Sequence, residues 1–173
     1  MKIHLQTPEE IRPQIWKELG RASQDRHHEW RTPVLASAGP DGLPDARTVV
    51  LRQVDALAGQ LTFYTDSRSP KVAQLQTQAA AMLVFWSARL SWQLRVRVTC
   101  SVITSGPEVE ALWQGVKQSA AAGDYLSPLP PGAVMPLVIT VQTDGGLNFD
   151  QPAPICFPNL PNPITGKPWP AGT

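Results

Sequence analysis

The chain has 173 residues, 42% of them hydrophobic, which is enough to bury the core of a single domain. Its net charge of +1 argues against a general polyanion-binding protein, because such domains carry a large basic excess. No run approaches the ~20 apolar residues of a membrane span, and the N-terminus lacks the apolar segment of a signal peptide. We therefore expect a cytoplasmic protein that binds neither nucleic acid nor membrane.

Charge is distributed unevenly along the chain. Residues 1–97 hold 13 Lys and Arg against 9 Asp and Glu, whereas residues 98–173 hold 2 against 5 and contain neither Arg nor His. Recognition of anions is therefore expected within the first 97 residues. The two cysteines, Cys100 and Cys156, form no CxxC pattern, so we predict no metal site and interpret both as ordinary thiols, with a structural disulfide as the alternative.

The first predicted element is a helix. Residues 7–10 (TPEE) place a capping hydroxyl, a proline at the first helical position and a glutamate three residues after the cap. An apolar stripe at helical spacing follows: Ile11, Ile15 and Leu19. The polar segment 21–30 continues the helix or forms a loop, and its His27 and His28 are expected to face solvent.

From Pro33 the pattern changes to short strands separated by turns, which is typical of an antiparallel barrel or sandwich. The strands are predicted over residues 34–37, 46–54, 60–65, 80–86, 91–103 and 134–141. Residues 39–42 (GPDG) form a turn, residues 80–86 a fully buried strand and residues 91–103 an alternating one. Further helices are predicted from Ser69–Pro70 onward and over residues 108–122.

The last part of the chain has a different composition. Residues 151–173 contain 7 prolines, which cannot join the interior of a sheet. We therefore predict one domain over residues 1–145, including the N-terminal helix, and an irregular tail over residues 146–173 that is draped over a partner subunit.

The first cluster of residues that could bind a ligand is residues 47–52 (RTVVLR). Two guanidinium groups in a segment otherwise suited to burial require an anionic partner, because an unpaired buried charge is costly. The alternative is that both arginines turn to solvent or pair with Asp45 and Asp55. Arg47 and Arg52 have opposite parity in a regular strand, so either a bulge lies between them or one side chain reaches around the strand end.

The second cluster, residues 64–71 (YTDSRSPK), joins a strand end to a helix start. Ser69 is the predicted N-cap and Pro70 the first helical residue. Backbone N–H groups at a helix start attract anions, and Ser69 adds a hydroxyl while Lys71 adds a charge, so this corner would suit a phosphate. The alternative is a capped surface helix with solvated charges.

The third cluster is the polar face of the long strand, with Gln93, Arg95 and Arg97. A polar face of this kind is ordinarily the solvent-exposed side of a sheet. An amide and two cations in a row would also suit the edge of a flavin ring, because the amide can bond the pyrimidine groups and a cation stabilises the anionic reduced ring.

The three clusters in this order resemble the pyridoxamine 5′-phosphate oxidase family of flavin mononucleotide (FMN)-binding split barrels. The resemblance runs through LASAGPDGLPDARTVVLR, FYTDSRSPKVAQL and WQLRVRV and covers roughly residues 30–105. It implies a mainly β fold with peripheral helices, an antiparallel split barrel, FMN as the cofactor and a homodimer with the flavin between its subunits. Six tryptophans are many for a domain of this size, and some are expected at an interface.

The resemblance also assigns roles to residues. The strand beside the flavin and its ribityl phosphate would comprise Arg47, Thr48, Val49, Val50, Leu51 and Arg52. Arg47 would reach the phosphate, and Arg52 stands where a lysine is common. Tyr64 and Thr65 resemble the flavin-contacting strand end. Ser69 and Lys71 resemble phosphate ligands, with Arg68 compensating for Pro70 where the family has a basic residue. Gln93 resembles the amide at the flavin ring, and Arg95 a basic position of many relatives.

Two classes of function are compatible with these features. The first is an FMN-dependent oxidoreductase of unidentified small substrate, without an assigned catalytic side chain. Pyridoxamine phosphate is not the expected substrate, because oxidases of the family hold it partly with Arg and His near the C-terminus, and this chain has neither after Arg97. The second is a non-catalytic flavin carrier or sensor, and a further alternative is a pocket for haem or a deazaflavin.

Overall fold

The computed structural model describes residues 7–118 and 136–143. In these ranges the elements are α1 (Pro8–Gln24), a 3-10 turn (Glu29–Arg31), β1 (Val34–Ala38), β2 (Pro44–Thr48), β3 (Leu51–Asp55), β4 (Gln60–Asp66), α2 (Pro70–Thr77), β5 (Ala80–Ser87), β6 (Trp92–Ile103), α3 (Pro107–Lys117) and β7 (Pro136–Thr143). The capping box predicted for α1 is present, because Glu10 N–H donates to the Thr7 hydroxyl and the Glu10 carboxylate accepts from Thr7 N–H.

The single strand predicted over residues 46–54 is wrong, because the structure has two strands there. β2 ends at Thr48 and pairs with β1, whereas β3 begins at Leu51 and pairs with β4. Between them Val49 is buried in the core, and its N–H donates to the Pro33 carbonyl at 3.0 Å. β-branched apolar residues suit a strand and a buried crossing equally, so composition alone could not reveal the break.

All seven strands form one antiparallel sheet in the order β2-β1-β5-β6-β7-β4-β3. A flat sheet of this order would hold its two edge strands about 29 Å apart, at roughly 4.8 Å per strand. The chain from Thr48 to Leu51 reaches only about 10 Å. The sheet must therefore curl until β2 and β3 lie near each other, which makes an open barrel.

The barrel interior is filled by the inward residues of every second strand position. The largest fully buried apolar side chains are Trp30, Phe63, Phe85, Leu19, Leu35, Leu51, Leu61, Leu75 and Leu83. The predicted alternation of β6 is confirmed, since Leu94, Val96 and Val98 are buried while Arg95 and Arg97 are exposed. α1 covers one side of this core with Ile15 and Leu19, as its stripe predicted.

The prediction that β5 is fully buried is wrong. Leu83 and Phe85 are buried, but Trp86 is 45% exposed, and Met82 and Val84 on the same face are only half-buried. The strand is therefore apolar on both faces while only one face is covered within this subunit. An apolar outer face of this kind is typical of an interface.

The expectation that His28 faces solvent is also wrong, whereas His27 is exposed. His28 is 8% exposed and caps the 3-10 turn, because its Nδ1 accepts from Trp30 N–H at 3.1 Å. Its Nε2 therefore carries the proton and donates to Glu18 at 2.9 Å. A polar neighbourhood in the sequence did not reveal a partner ten residues earlier on α1.

The turn between β5 and β6 stores backbone strain at Ser91, which has a φ of 54°. A side chain in this left-handed region costs roughly 1 kcal/mol relative to glycine. We expect Ser91→Gly to raise the free energy of unfolding by about 0.5–1 kcal/mol in urea denaturation. Ser91→Ala keeps a Cβ and serves as the control, and an equal gain in that variant would contradict the strain.

Several predictions fall outside the described residues: the helix beyond 118, the start of the last strand at 134–135, the proline-rich tail and Cys156. Cys100 is buried and free, and burial raises the pKa of its thiol to about 11, which keeps it in the unreactive protonated form. Among the described helices, none has the length and apolar character needed to cross a membrane.

Candidate functional site

Arg47 points to the core-facing side of β2, because its register partner on β1 is the fully buried Leu35. Its NH1 donates to the Ser37 hydroxyl at 2.6 Å, and its NH2 donates to Gln74 Oε1 at 2.8 Å. NH2 also pairs with Asp45 Oδ2 at 2.6 Å. Arg47 therefore pairs with Asp45, which was the alternative interpretation of the sequence. Because its guanidinium is engaged in these contacts, Arg47 would attract an anion mainly through its charge.

Gln74 of α2 organises this group and was not predicted from the sequence. Its Oε1 accepts from Ser37 and Arg47, and its Nε2 donates to Asp45 Oδ2 at 2.7 Å. The hydrogen bond from Gln74 and the charge of Arg47 lower the pKa of Asp45. The available signal was the position of Gln74 five residues after the predicted N-cap Ser69, but an amide in a polar helix is too common to single out.

Lys71 and Ser69 form the helix end of the corner. Ser69 is the N-cap of α2 as predicted, but its side chain makes no capping hydrogen bond, and its hydroxyl instead accepts from Lys71 Nζ at 2.8 Å. Lys71 is half-buried, and this burial together with the nearby charge of Arg47 lowers the pKa of its ammonium. Two cations thus approach one another at the start of a helix. An anion bound there would offset the repulsion between their charges.

Arg68 is paired with Asp66. Its guanidinium makes a double contact with the Asp66 carboxylate, with NH2 to Oδ2 at 2.6 Å and Nε to Oδ1 at 3.1 Å. The hydrogen bond from Arg68 lowers the pKa of Asp66. Arg68 is exposed, and its compensation for the missing basic residue at Pro70 stays a prediction.

Arg52 lies on a different face from Arg47. The pairing of β3 with β4 shifts between Leu51 and Gln53, so a β-bulge re-aims Arg52. Its guanidinium carbon stands 5.9 Å from the ring centre of Tyr64, whose chain neighbours Phe63 and Thr65 point inward. Both the strand break and the bulge separate the two arginines, so they do not converge on one point.

The other residues of the predicted strand differ in what they expose. Thr48 ends β2 and is exposed, and Val50 is half-buried in the link to β3. Val49 and Leu51 are part of the core, so only their main chain could contact a cofactor. Thr65 is 4% exposed on the inward face of β4.

Gln93 and Arg95 lie on the outer face of β6, near its first residue. Gln93 is half-buried and in register with Trp86, and Arg95 is exposed and in register with Val84. Tyr64 is in register with Val138, which is in register with Ile103 at the far end of β6. Across the sheet, Tyr64 is therefore level with Ile103 of β6. Ile103 lies ten residues, or roughly 33 Å of strand, from Gln93.

The corner made by Arg47, Ser69 and Lys71 fits the phosphate of FMN. It supplies two positive charges, a hydroxyl and a helix start, and Gln74 of α2 holds Arg47 against the helix that begins with Ser69 and Lys71. Arg47 and Lys71 lie 24 residues apart in the chain, so their approach is a property of the fold.

These features define a class of protein: an open antiparallel barrel with two cationic side chains, Arg47 and Lys71, where β4 leads into α2. The family model described as pyridoxamine 5′-phosphate oxidase, FMN-binding domain, matches residues 13–104. This covers more than half of the chain, so the protein belongs to that family, and its fold is the FMN-binding split barrel that the resemblance predicted. FMN is the cofactor of this family, which confirms the cofactor predicted from the sequence.

Individual relatives agree with the family assignment. The chain is 40% identical over 93 residues to the pyridoxine/pyridoxamine 5′-phosphate oxidase of Thermosynechococcus vestitus, covering 54% of this chain and 43% of that protein. It is 30% identical over 143 residues to the oxidase of the same name from Paracoccus denitrificans, covering 78% and 64%. The chain thus spans less than two thirds of the length of either relative.

A solved structure supports the fold. The pyridoxamine 5′-phosphate oxidase-related, FMN-binding protein of Nostoc punctiforme superimposes with a TM-score of 0.58 at 23% identity, covering 80% of this chain and 81% of that one. At this identity the likeness concerns the fold alone.

Proposed function

We propose that this protein is an FMN-dependent oxidoreductase of a small substrate, with the FMN phosphate bound between Lys71, Ser69 and Arg47. The observation that carries the proposal is geometric: Gln74 of α2 binds Arg47 at 2.8 Å, and Lys71 binds Ser69 at 2.8 Å at the start of the same helix, in a chain of an FMN-binding family. In this proposal residues 1–145 form the FMN-binding domain and residues 146–173 a separate proline-rich tail.

The protein's residues bind and orient the cofactor, and bound FMN would supply the electron transfer. Lys71 and Ser69 hold the phosphate directly, and Arg47 adds its charge while its position is fixed by Gln74 and Asp45. Arg68 lies beside the corner. From the corner, the rest of the bound FMN would extend along main-chain groups of residues 48–51 and along the end of β4 at Tyr64 and Thr65.

We further propose that the flavin lies between two subunits. The roughly 33 Å of strand between the register of Tyr64 and Gln93 favours a site in which one subunit supplies Tyr64 and the other supplies Gln93 and Arg95. The outer face of β5 supports this arrangement, because Trp86 and Val84 are apolar, incompletely covered and adjacent to Gln93 and Arg95.

The cofactor and the class of function can be tested on the purified full-length protein. We expect the visible absorption of an oxidised flavin and release of FMN, identified by chromatography, on denaturation. A Soret band or a released deazaflavin would contradict the proposal. Under single-turnover conditions, a panel of small oxidisable substrates should change the rate of flavin reduction. If no compound does so, the result would contradict the oxidoreductase and favour a carrier or sensor.

The shared site makes a specific prediction for mixed subunits. Lys71→Met and Gln93→Leu should each impair FMN binding in homodimers, because each damages every site. When the two variants are co-expressed, the heterodimer carries one intact site and one doubly altered site, so FMN binding should be partly restored. Light scattering must show a dimer, and a monomer that retains FMN, or an absence of restoration, would contradict the shared site.

A further inference from the structure

Two carboxylates hold the turn between β5 and β6 against the body of the protein. Glu29 of the 3-10 turn accepts the hydroxyl of Ser87, the last residue of β5, and the main-chain N–H of Arg89 at 3.2 Å. Glu18 of α1 accepts from the Arg89 guanidinium at 3.2 Å. The β5–β6 hairpin is therefore attached to elements that lie at least 58 residues earlier in the chain.

The two carboxylates hold the hairpin in different ways. Glu18 reaches it through the long side chain of Arg89, which is 54% exposed. Glu29 contacts the end of the strand itself, because Ser87 is fully buried and its hydroxyl also accepts from Leu90 N–H at 3.1 Å. One hydroxyl thus connects Glu29 to the strand end and to the turn, so Glu29 fixes the main chain more directly than Glu18 does.

The turn that follows Ser87 needs such support. Ser91 has a φ of 54°, and a non-glycine residue keeps this left-handed conformation only where the surrounding structure holds it. The terminal rungs of a strand ladder also fray readily, because they have neighbours on one side only. The contact of Glu29 with Ser87 therefore acts at the point where the β5–β6 ladder would otherwise open.

The last two register pairs of this ladder connect the contact to the proposed flavin site. Ser87 is in register with Trp92, and Trp86 is in register with Gln93. The pair on the inner face is held by the 3-10 turn, where the ring centre of Trp30 lies 6.4 Å from that of Trp92. Trp86 and Gln93 are the next pair and face outward, so their position follows that of the inner pair.

We propose that Glu29 is a positioning residue for the cofactor, which holds the end of β5 and thereby fixes Gln93 at the flavin ring. The inference rests on the proposed function, in which Gln93 of one subunit reaches the flavin bound by the other. Glu29 is not a catalytic residue, because it binds the inner side of the hairpin through Ser87 while Gln93 faces outward. Its effect on the cofactor should therefore pass through Gln93 and should not involve the phosphate.

The experiment measures binding of FMN and riboflavin to the full-length apoprotein by quenching of flavin fluorescence. Glu29→Ala should weaken both flavins by the same factor, about two- to tenfold, which is the range of one net hydrogen bond. Gln93→Leu should weaken both in the same way. The decisive measurement is the double variant, in which Glu29→Ala should add little to the loss that Gln93→Leu already causes. Additive losses would show that Glu29 acts on the fold in general and would overturn the proposal.

A second variant keeps the test decisive if Glu29→Ala does not fold. Ser87→Ala removes the donor of the same hydrogen bond and leaves no buried hydroxyl without an acceptor, so it should weaken both flavins with the same dependence on Gln93. Glu9→Ala removes an exposed carboxylate in the first turn of α1 and is the control, with no change expected. Unchanged flavin affinity in whichever of the two test variants folds would overturn the proposal.

Failure of this inference can be distinguished from failure of the proposed function. If Gln93→Leu weakens flavin binding but Glu29→Ala does not, the positioning role is wrong and the flavin site stands. If the wild-type protein binds neither FMN nor riboflavin, the proposed function itself is wrong. If Gln93→Leu has no effect on flavin binding, the proposed placement of Gln93 is wrong. In both of these cases the positioning role of Glu29 is overturned as well.

Discussion

Lys71→Met is expected to weaken FMN binding on the order of 10- to 100-fold while riboflavin affinity changes little. The reason is that a charge-assisted hydrogen bond to the phosphate contributes about 1.5–3 kcal/mol, and 1.4 kcal/mol corresponds to a tenfold change in affinity. Only FMN carries the phosphate, so riboflavin is the internal control. Quenching of flavin fluorescence in a titration of apoprotein measures both dissociation constants.

Arg68→Met is the matched control for this prediction. Arg68 lies three residues before Lys71 and carries the same charge, but it is exposed and held by Asp66. We expect its loss to weaken FMN binding much less than the loss of Lys71. Equal weakening of FMN and riboflavin in Lys71→Met, or a larger effect at Arg68, would place the phosphate elsewhere.

The pH dependence of FMN binding provides a second readout of Lys71. Burial and the charge of Arg47 lower the pKa of Lys71 below its ordinary value of 10.5 in the free protein. The phosphate binds the protonated ammonium, so FMN affinity should decrease as the pH rises through this lowered pKa. The decrease should be absent in Lys71→Met, and its persistence there would assign it to another group.

The elements with strong local signals were predicted from the sequence. α1 begins at the predicted capping box, α2 begins at Ser69–Pro70, and β6 shows the predicted alternation. In each case the determining interactions lie within a few residues of one another. Local patterns therefore specified both the type of these elements and most of their bounds.

The errors occur where the partner of a segment is distant in the chain. The break at Val49–Val50 is set by Pro33 and by the curl of the sheet, and the outer face of β5 is apolar without being covered in this subunit. An apolar run in the sequence does not indicate which other element or subunit covers it. The same limit applied to the site, because its motifs were visible locally but the approach of Arg47 to Gln74 and Lys71 depends on the packing of α2 against β1.

A buried network of charged side chains attaches α1 to the barrel, and it was also not predicted from the sequence. Glu18 is 2% exposed, and its carboxylate accepts from Gln14 and Arg21 of α1 and from His28, the N-cap of the 3-10 turn. Arg89 of the β5–β6 turn donates to the same carboxylate at 3.2 Å. Glu18 therefore connects α1, the 3-10 turn and the β5–β6 hairpin through a single group.

Glu18→Ala is expected to lower the free energy of unfolding by about 3 kcal/mol, because it leaves the buried His28 N–H without its acceptor and removes the counter-charge of two arginines. The exposed Glu110→Ala is the control and should change stability by less than about 0.5 kcal/mol. Urea denaturation at neutral pH measures both. A loss in Glu18→Ala no larger than that of the control would show that the network contributes nothing to stability.

Acidification should separate the charge of Glu18 from its shape. Burial raises the pKa of this carboxyl, but the hydrogen bond from His28 and the charges of Arg21 and Arg89 outweigh it, so the pKa lies below 4.5. A lowered folded-state pKa contributes stability above the unfolded value, and this contribution is lost as the pH falls through the folded pKa. Glu18→Gln should therefore lose less stability than the wild type between neutral pH and pH values below 4.5. Parallel pH profiles of the two proteins would mean that the carboxylate charge does not stabilise the docking of α1.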